Sequence, residues 1–349
     1  MTRFLCGLLC VFLFISFHFQ AEEPPIFPPP LQKGDTIAVI APASSPEESR
    51  PAVFYAINAI IQKGYRVKVA CNLMTRNGYL AGTDYDRAKA LMDAWADPDV
   101  KAIWCYRGGF GCARILDRLN YQRIRENPKI LIGMSDITAL HAAINKETGL
   151  VTFLGPNVND VFGIGKKTGA LFCETQLWNI IAPETPFRNE GYRFPNPKTF
   201  PGKGQVFLTI HPGTGKGRLT GGTLSLVASL IGTPWEIDTT DKILVLEEVD
   251  EEPYRIDRML LQLKQAGLLA RPAGVVLCAW KGCGGKKPDR SFSLEQVFQD
   301  YFANAQYPVL WGFPSGHAAE QVTLPLNTLA ELDATAKTLR LLENPVEVR

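Results

Sequence analysis

In KILIGMSDITALHAA an apolar run gives way directly to a helical pattern, with Ser135 at the join. A serine on a strand-to-helix turn is the arrangement of a nucleophile elbow. The sharp turn lifts the hydroxyl off the sheet, and the helix start offers backbone N–H groups to an oxyanion. The GxSxG pattern is incomplete, because Ile137 stands where the second glycine belongs. Ser135 or Asp136 acting only as a helix cap accounts for the same residues. A second glycine-rich run, YRGGFGCARIL, also joins a strand pattern to a helix pattern. Gly109 and Gly111 form a GxG, but Arg114 occupies the place where a dinucleotide fingerprint wants Gly or Ala. Two readings stand: a tight turn, or backbone amides brought close to a neighbouring site as an oxyanion hole requires.

The acid and the base come from the second half of the chain. In LVLEEVDEEPYRIDRML, Glu247 and Glu248 emerge at the end of a strand, followed by Asp250, Glu251 and Glu252. A run of acids is ordinarily a solvated face, yet functional groups of open α/β sheets gather at the carboxyl ends of strands. Alternation along a strand turns one of the pair inward and the other outward. His317 lies among small residues in GFPSGHAAEQVTLPLN, whereas His141 falls on the helix after Ser135 and His211 precedes a proline. A lone histidine is more often structural than catalytic. Together, Ser135, an acid near 247 and His317 are compatible with a triad whose base is oriented by a carboxylate.

Other chemistries fit less well. HPGTGKGRLTGGT resembles a phosphate loop, but GxxxxGK would need glycine at Ile210, and Gly217 follows Lys216 where Ser or Thr is required. Its Gly221-Gly222 pair reads instead as a close approach at a helix start. A nucleotide enzyme built on GGFG would need an acid about 20 residues on at a strand end, where Asp136 beyond Ser135 is the only acid. Cys278 and Cys283 lack zinc-ligand spacing, so no metal is expected. The 349 residues carry 37 Lys+Arg against 35 Asp+Glu, interspersed, with no basic stripe. Nucleic acid is therefore not an expected partner.

Positioning these groups requires a particular succession of elements. Met1-Thr2-Arg3 precedes an apolar run from Phe4 to Phe17, shorter than the span of about 20 a membrane helix needs. Residues 1–21 read as a cleaved signal peptide, placing the protein outside the cytoplasm and most simply in the periplasm; an uncleaved leader serving as a membrane anchor is the alternative. After cleavage no stable membrane span remains. Residues 22–30, EEPPIFPPP, read as an extended Pro-rich tether without a packed core. From residue 31, strand patterns (36–40, 65–70, 101–106, 129–133, 151–154) alternate with helix patterns (52–62, 84–96, 113–119, 136–144). This predicts an α/β fold with an N-terminal parallel-sheet, Rossmann-like domain over 31–181. The Pro- and Gly-rich stretch 182–204 reads as an interdomain linker. Residues 205–349 predict a smaller C-terminal α/β domain with mixed strands, its tail from 321 to 342 supplying antiparallel strands. Among the cysteines beyond the leader, Cys71, Cys105 and Cys278 fall in or beside apolar strand-like runs, as buried free thiols do.

With these segments assembled, the chain resembles the LD-carboxypeptidase and microcin-immunity family of serine peptidases. The resemblance is carried by LQKGDTIAVIAPAS, AIWCYRGGFGCARIL, LIGMSDITAL, GRLTGGTLSLVASLIGTPWEID, ILVLEEVDEEPYRIDRML and FPSGHAAEQVTLPL, in the family order. It implies a two-domain α/β homodimer with the active site between the domains and no cofactor. Ser135 matches the family nucleophile, Glu247 the orienting carboxylate and His317 the general base. The N–H groups of Gly109 and Asp136 match the oxyanion hole. The implied substrate is a murein tetrapeptide, cut between the L-centre of diaminopimelate and the terminal D-alanine, as in peptidoglycan recycling. Alternatives are an aminoacyl-nucleotide amide, as in microcin self-immunity, and a binding protein without catalysis. The leader departs from the cytoplasmic habit of recycling members.

Overall fold

The computed structural model describes residues 24–165, 170–184, 187, 191–195 and 206–347. The leader expected over residues 1–21 lies outside them. In the first half of the chain the strands are β1 (Thr36–Ile40), β2 (Arg66–Val69), β3 (Val100–Cys105), β4 (Ile130–Gly133) and β5 (Thr152–Leu154). The helices are α1 (Arg50–Gln62), α2 (Asp84–Ala96), α3 (Tyr121–Glu126), α4 (Thr138–Thr148), α5 (Val158–Phe162) and α6 (Ala170–Ile181). The second half supplies β6 (Tyr192–Arg193), β7 (Leu208–His211), β8 (Thr214–Thr223), β9 (Ile243–Val249), β10 (Gly274–Lys281), β11 (Val309–Trp311), β12 (Leu324–Leu326), β13 (Leu329–Asp333) and β14 (Thr338–Leu341). Its helices are α7 (Leu224–Ser229), α8 (Pro253–Gln265) and α9 (Leu294–Phe302).

The fold is the expected α/β arrangement on two sheets. In the first, β2, β1, β3, β4 and β5 lie side by side and parallel, and β12 closes the β5 edge antiparallel. Burial on both faces explains why the central runs are largely apolar, while edge strand β2, with Arg66 and Lys68, is exposed. Ile37, Val39, Trp104 and Ile132 bury on one face, while Ala38, Ile40, Ile103 and Leu131 bury on the other. Each fully buried large aliphatic among them contributes about 1.5–3 kcal/mol. The strand order reverses between β1 and β3, so their carboxyl-end loops open a crevice there, the usual position for a site in a doubly wound sheet. In the second sheet β8, β9, β10 and β11 are parallel, flanked by antiparallel β7 on one side and β13, β14 and β6 on the other.

Several expectations need correction. The segment after the leader is not a free tether: Ile26 exchanges backbone hydrogen bonds with Gly149 and Val151, each 2.9 Å, and Pro28 accepts one from Glu347. Ile26 and Phe27, the apolar pair between the prolines, pack on the core, and that burial holds the strap in place. The described part of the stretch read as a linker contains β6, which pairs with β14. The tail does not belong wholly to the second domain, because β12 returns to β5 of the first sheet. The glycine-rich run around 214–223 is a strand. A side chain at Gly215, Gly217 or Gly221 would place its Cβ within 2.4 Å of a neighbouring backbone oxygen, so close approach of the backbones demands a composition that reads as a loop. The turn after the GGFG run is a 3-10 helix, Cys112–Arg118. Cys71 is exposed, whereas Cys105, Cys112, Cys173, Cys278 and Cys283 are buried, and all six are free.

Candidate active site

Ser135 occupies the turn between β4 and α4 with φ at +64°, a left-handed conformation that costs a non-glycine residue about 1–2 kcal/mol. The backbone around it is held by many bonds. The Gly133 carbonyl accepts from His141 Nε2 at 2.9 Å and from the Gly155 N–H at 3.1 Å. Met134 N–H donates to Asn157 Oδ1 at 3.3 Å, and the Ser135 carbonyl accepts from Thr223 Oγ1 at 3.3 Å. His141 is therefore a structural histidine. Its burial pulls its pKa down to about 4 against the Gly133 carbonyl, so it stands neutral beneath the turn. Ile137, where GxSxG has glycine, packs over Gly133: a Cβ there would come within 2.8 Å of the Ile137 side chain.

The GGFG loop at the end of β3 runs against this serine. A Cβ on Gly108 would lie 2.7 Å from Ser135 Cβ and 3.0 Å from its Oγ. Ser44, from the loop after β1, laces the glycines in place. Its N–H donates to the Gly108 carbonyl at 3.4 Å, and its Oγ accepts from the Phe110 N–H at 3.2 Å. Among the described residues nothing accepts from the Gly109 N–H. The Asp136 side chain turns away from the crevice: Oδ2 accepts from the Cys112 N–H at 2.7 Å. Burial raises its carboxyl pKa, opposed by the Cys112 bonds and the Arg87 charge. Its backbone N–H sits in the first turn of the helical segment, where donors have no intrahelical partner.

Glu247 arrives from β9 fully buried, and Glu248, which alternation along the strand would turn outward, is buried as well. They do different things. Glu247 Oε2 accepts from His317 Nδ1 at 2.6 Å and from the His317 N–H at 3.1 Å, while Oε1 accepts from Thr223 Oγ1 at 2.5 Å. Glu248 turns to the opposite side, where its oxygens take the N–H groups of Ser225 and Val249 at 2.8 and 3.0 Å. Burial raises its pKa, and those bonds oppose the rise. Burial alone would lower the pKa of His317; the bond and charge of Glu247, then the charges of Asp160 and Glu248, outweigh it and raise the pKa above the usual 6.5. Among the described residues, His317 Nε2 and Ser135 Oγ carry no hydrogen bond, and none joins them to each other. Such contacts commonly tighten only when substrate binds.

The sheets thus bring Glu247 and His317 into direct contact and tie both to the Ser135 turn through Thr223. His211 lies apart, its Nδ1 on the Ala303 carbonyl at 3.1 Å. Thr223, Ser44 and Asn157 were not legible as site residues, since their partners are brought near only by the fold. The arrangement can perform acyl transfer: a hydroxyl on a strained turn, backbone donors beside it, and an imidazole backed by a buried carboxylate.

Residues 37–155 match the LD-carboxypeptidase N-terminal domain, and residues 216–332 match the LD-carboxypeptidase C-terminal domain. A probable murein peptide carboxypeptidase of Bacillus subtilis is 40% identical over 311 residues, covering 89% of this chain and 92% of that protein. The murein tetrapeptide carboxypeptidase of Pseudomonas aeruginosa is 30% identical over 85% of this chain and 92% of its own length. In fold, the chain is similar to the microcin C7 self-immunity protein MccF solved with glutamyl sulfamoyl guanosine. The TM-score is 0.82 at 24% identity, covering 93% of this chain and 100% of that one.

Proposed function

Since the chain belongs to the LD-carboxypeptidase family, we propose that it is a serine carboxypeptidase releasing the terminal D-alanine from murein tetrapeptides through an acyl-enzyme on Ser135. The observation that supports the reading is the hydrogen-bonded pair of buried Glu247 and half-buried His317 from the second sheet, tied through Thr223 to the turn of a strained serine that the GGFG loop lies against. The named relatives from Bacillus subtilis and Pseudomonas aeruginosa supply the substrate class.

In this mechanism His317 Nε2 takes the Ser135 hydroxyl proton as Oγ attacks the scissile carbonyl carbon. Glu247 stabilises the imidazolium that forms. The N–H groups of Gly109 and Asp136 receive the oxyanion, each such donor being worth about 3 kcal/mol. The C–N bond then breaks, and His317 returns its proton to the departing amine of D-alanine. Water repeats the attack with His317 again as base, freeing Ser135 and leaving a tripeptide with a new carboxylate. The chemistry needs only these side chains and backbone groups.

Residues 1–21 serve in this reading as an export leader. An exported enzyme meets tetrapeptide stems outside the cytoplasm, and cell fractionation of the tagged full-length chain tests this. Association as a homodimer is tested by light scattering on the purified protein. The catalytic reading is tested by incubating wild type and Ser135→Ala with a free murein tetrapeptide and, separately, with an aminoacyl sulfamoyl nucleotide. Loss of one alanine from the tetrapeptide, absent in the variant, is the expected result. Cleavage of the nucleotide conjugate alone would replace the murein substrate with the aminoacyl-nucleotide class.

A further inference from the structure

Ser135 belongs to the first sheet, and the Glu247–His317 pair to the second. The distance between nucleophile and base therefore depends on how the two sheets seat against each other, and a side chain that bonds both parts is in a position to set it. Among the described residues one does so. Thr223, the last residue of β8, is paired in register with Glu247 of β9 and is almost fully buried. Its hydroxyl lies 2.5 Å from Glu247 Oε1 and 3.3 Å from the Ser135 carbonyl oxygen. A hydroxyl has a single proton, which goes to the closer and charged acceptor. The Ser135 carbonyl receives the weaker share.

The same residue is fastened to the start of α4, just beyond the elbow. Thr223 N–H donates to Thr138 Oγ1 at 3.1 Å, and Thr138 Oγ1 donates to Thr223 Oγ1 at 3.4 Å. Gly222 makes this approach possible, since a Cβ there would stand 2.5 Å from Thr138 Oγ1. A continuous chain of hydrogen bonds results, from Thr138 through Thr223 and Glu247 to His317. Resting on the catalytic reading above, we infer that Thr223 is a positioning residue: its hydroxyl fixes the Glu247 carboxylate against His317 and ties that pair to the nucleophile turn.

The inference predicts more than a loss of stability. Thr223→Val keeps the shape and removes the donor, so Oε1 of Glu247 loses its partner. The carboxylate then holds the imidazolium proton more tightly. The groups facing His317 are Glu247 and Glu248 from β9 and Asp160 from α5, and this substitution alters none of their charges. The acid limb of kcat/KM is expected to move to higher pH by about 0.5–1 unit. Loss of a hydrogen bond to a charged group lowers kcat by about 10- to 100-fold, with KM for the tetrapeptide within about threefold. Thr223→Ser, which retains the donor, is expected to stay within about threefold of wild type in both.

The experiment measures alanine release against pH for wild type, Thr223→Val and Thr223→Ser, alongside the rate at which a fluorophosphonate labels Ser135. Labelling needs no peptide, so a wild type that labels but releases no alanine would overturn the substrate reading while still reporting on Thr223. Slower labelling in Thr223→Val, restored in Thr223→Ser, supports the inference. Wild-type kcat and an unmoved limb in Thr223→Val would overturn it, as would a Thr223→Ser enzyme as impaired as Thr223→Val. Should Thr223→Val fail to fold by circular dichroism, Thr223→Ala and Thr138→Val replace it. Unchanged labelling and pH profile in both would equally overturn the inference.

Discussion

Glu247→Gln removes one negative charge while preserving the shape of the side chain, and the structure dictates how the amide must sit. Oε2 receives two donors from His317, the ring at 2.6 Å and the backbone N–H at 3.1 Å. An NH2 group in that place would face both donors, so the amide oxygen takes it and the NH2 faces Thr223 Oγ1. That hydroxyl can turn its proton to the Ser135 carbonyl, 3.3 Å away, and accept instead. The imidazole therefore keeps its proton on Nδ1, unlike carboxylate-to-amide changes in serine proteases that reverse the tautomer and cost about 10⁴-fold. What disappears is the charge facing the imidazolium, about 3 kcal/mol for a charge-assisted bond, which is about 10²-fold in kcat. With the group that does most to raise the His317 pKa neutralised, the acid limb moves to lower pH, opposite to the shift expected for Thr223→Val. The assay is alanine release from the tetrapeptide, run from about pH 5 to pH 9 across the histidine titration. Glu248→Gln is the comparator. Its carboxylate holds backbone N–H groups on the far side, so its activity stays within a few-fold of wild type. A Glu248→Gln enzyme more impaired than Glu247→Gln, or a limb that moves upward in Glu247→Gln, would refute the assignment of the acid.

Gly108→Ala would push a methyl to within 2.7 Å of Ser135 Cβ; the displaced loop is expected to lower kcat by about 10²-fold or more while circular dichroism remains unchanged. Ser135→Gly relieves the positive φ, so calorimetry should find it more stable than Ser135→Ala by about 1 kcal/mol, though both are inactive. Equal stabilities would mean the elbow is unstrained. His141 has a folded-state pKa near about 4, below its unfolded value of about 6.5, so the unfolded chain binds its proton more readily. Its contribution is complete above about pH 6.5 and is lost as pH falls toward about 4, up to about 3 kcal/mol. Urea unfolding of wild type and His141→Gln over that range should show a shallower pH slope in the variant.

The interior of the first sheet is legible in the sequence because β1, β3 and β4 are buried along nearly their whole length and so appear as largely apolar runs, whereas the exposed edge strand β2 shows only an alternation of polar and apolar residues. Ser135 and Gly109 were visible as candidates for a local reason: both sit at strand ends next to helix starts. Strand β8 was hidden because the backbone contacts that require Gly215, Gly217 and Gly221 also erase the side-chain alternation that marks a strand. The return of Leu324–Leu326 to the first sheet leaves no local trace, since an apolar β-strand reads alike wherever it pairs. Nor does a sequence show that Glu247 and Glu248 are both buried, because their compensating donors come from Thr223, His317, Ser225 and Val249. Thr223 was invisible as a site residue for the same reason, as its role exists only once β8, β9 and α4 meet.

The most direct test of the central claim is to trap the acyl-enzyme. Wild-type protein mixed with murein tetrapeptide and quenched in acid at short times should carry the tripeptide acyl group, located by peptide mapping on Ser135, with D-alanine already released. Ser135→Ala should show neither adduct nor alanine. Alanine release by Ser135→Ala, or an adduct mapped to a different side chain, would contradict the account.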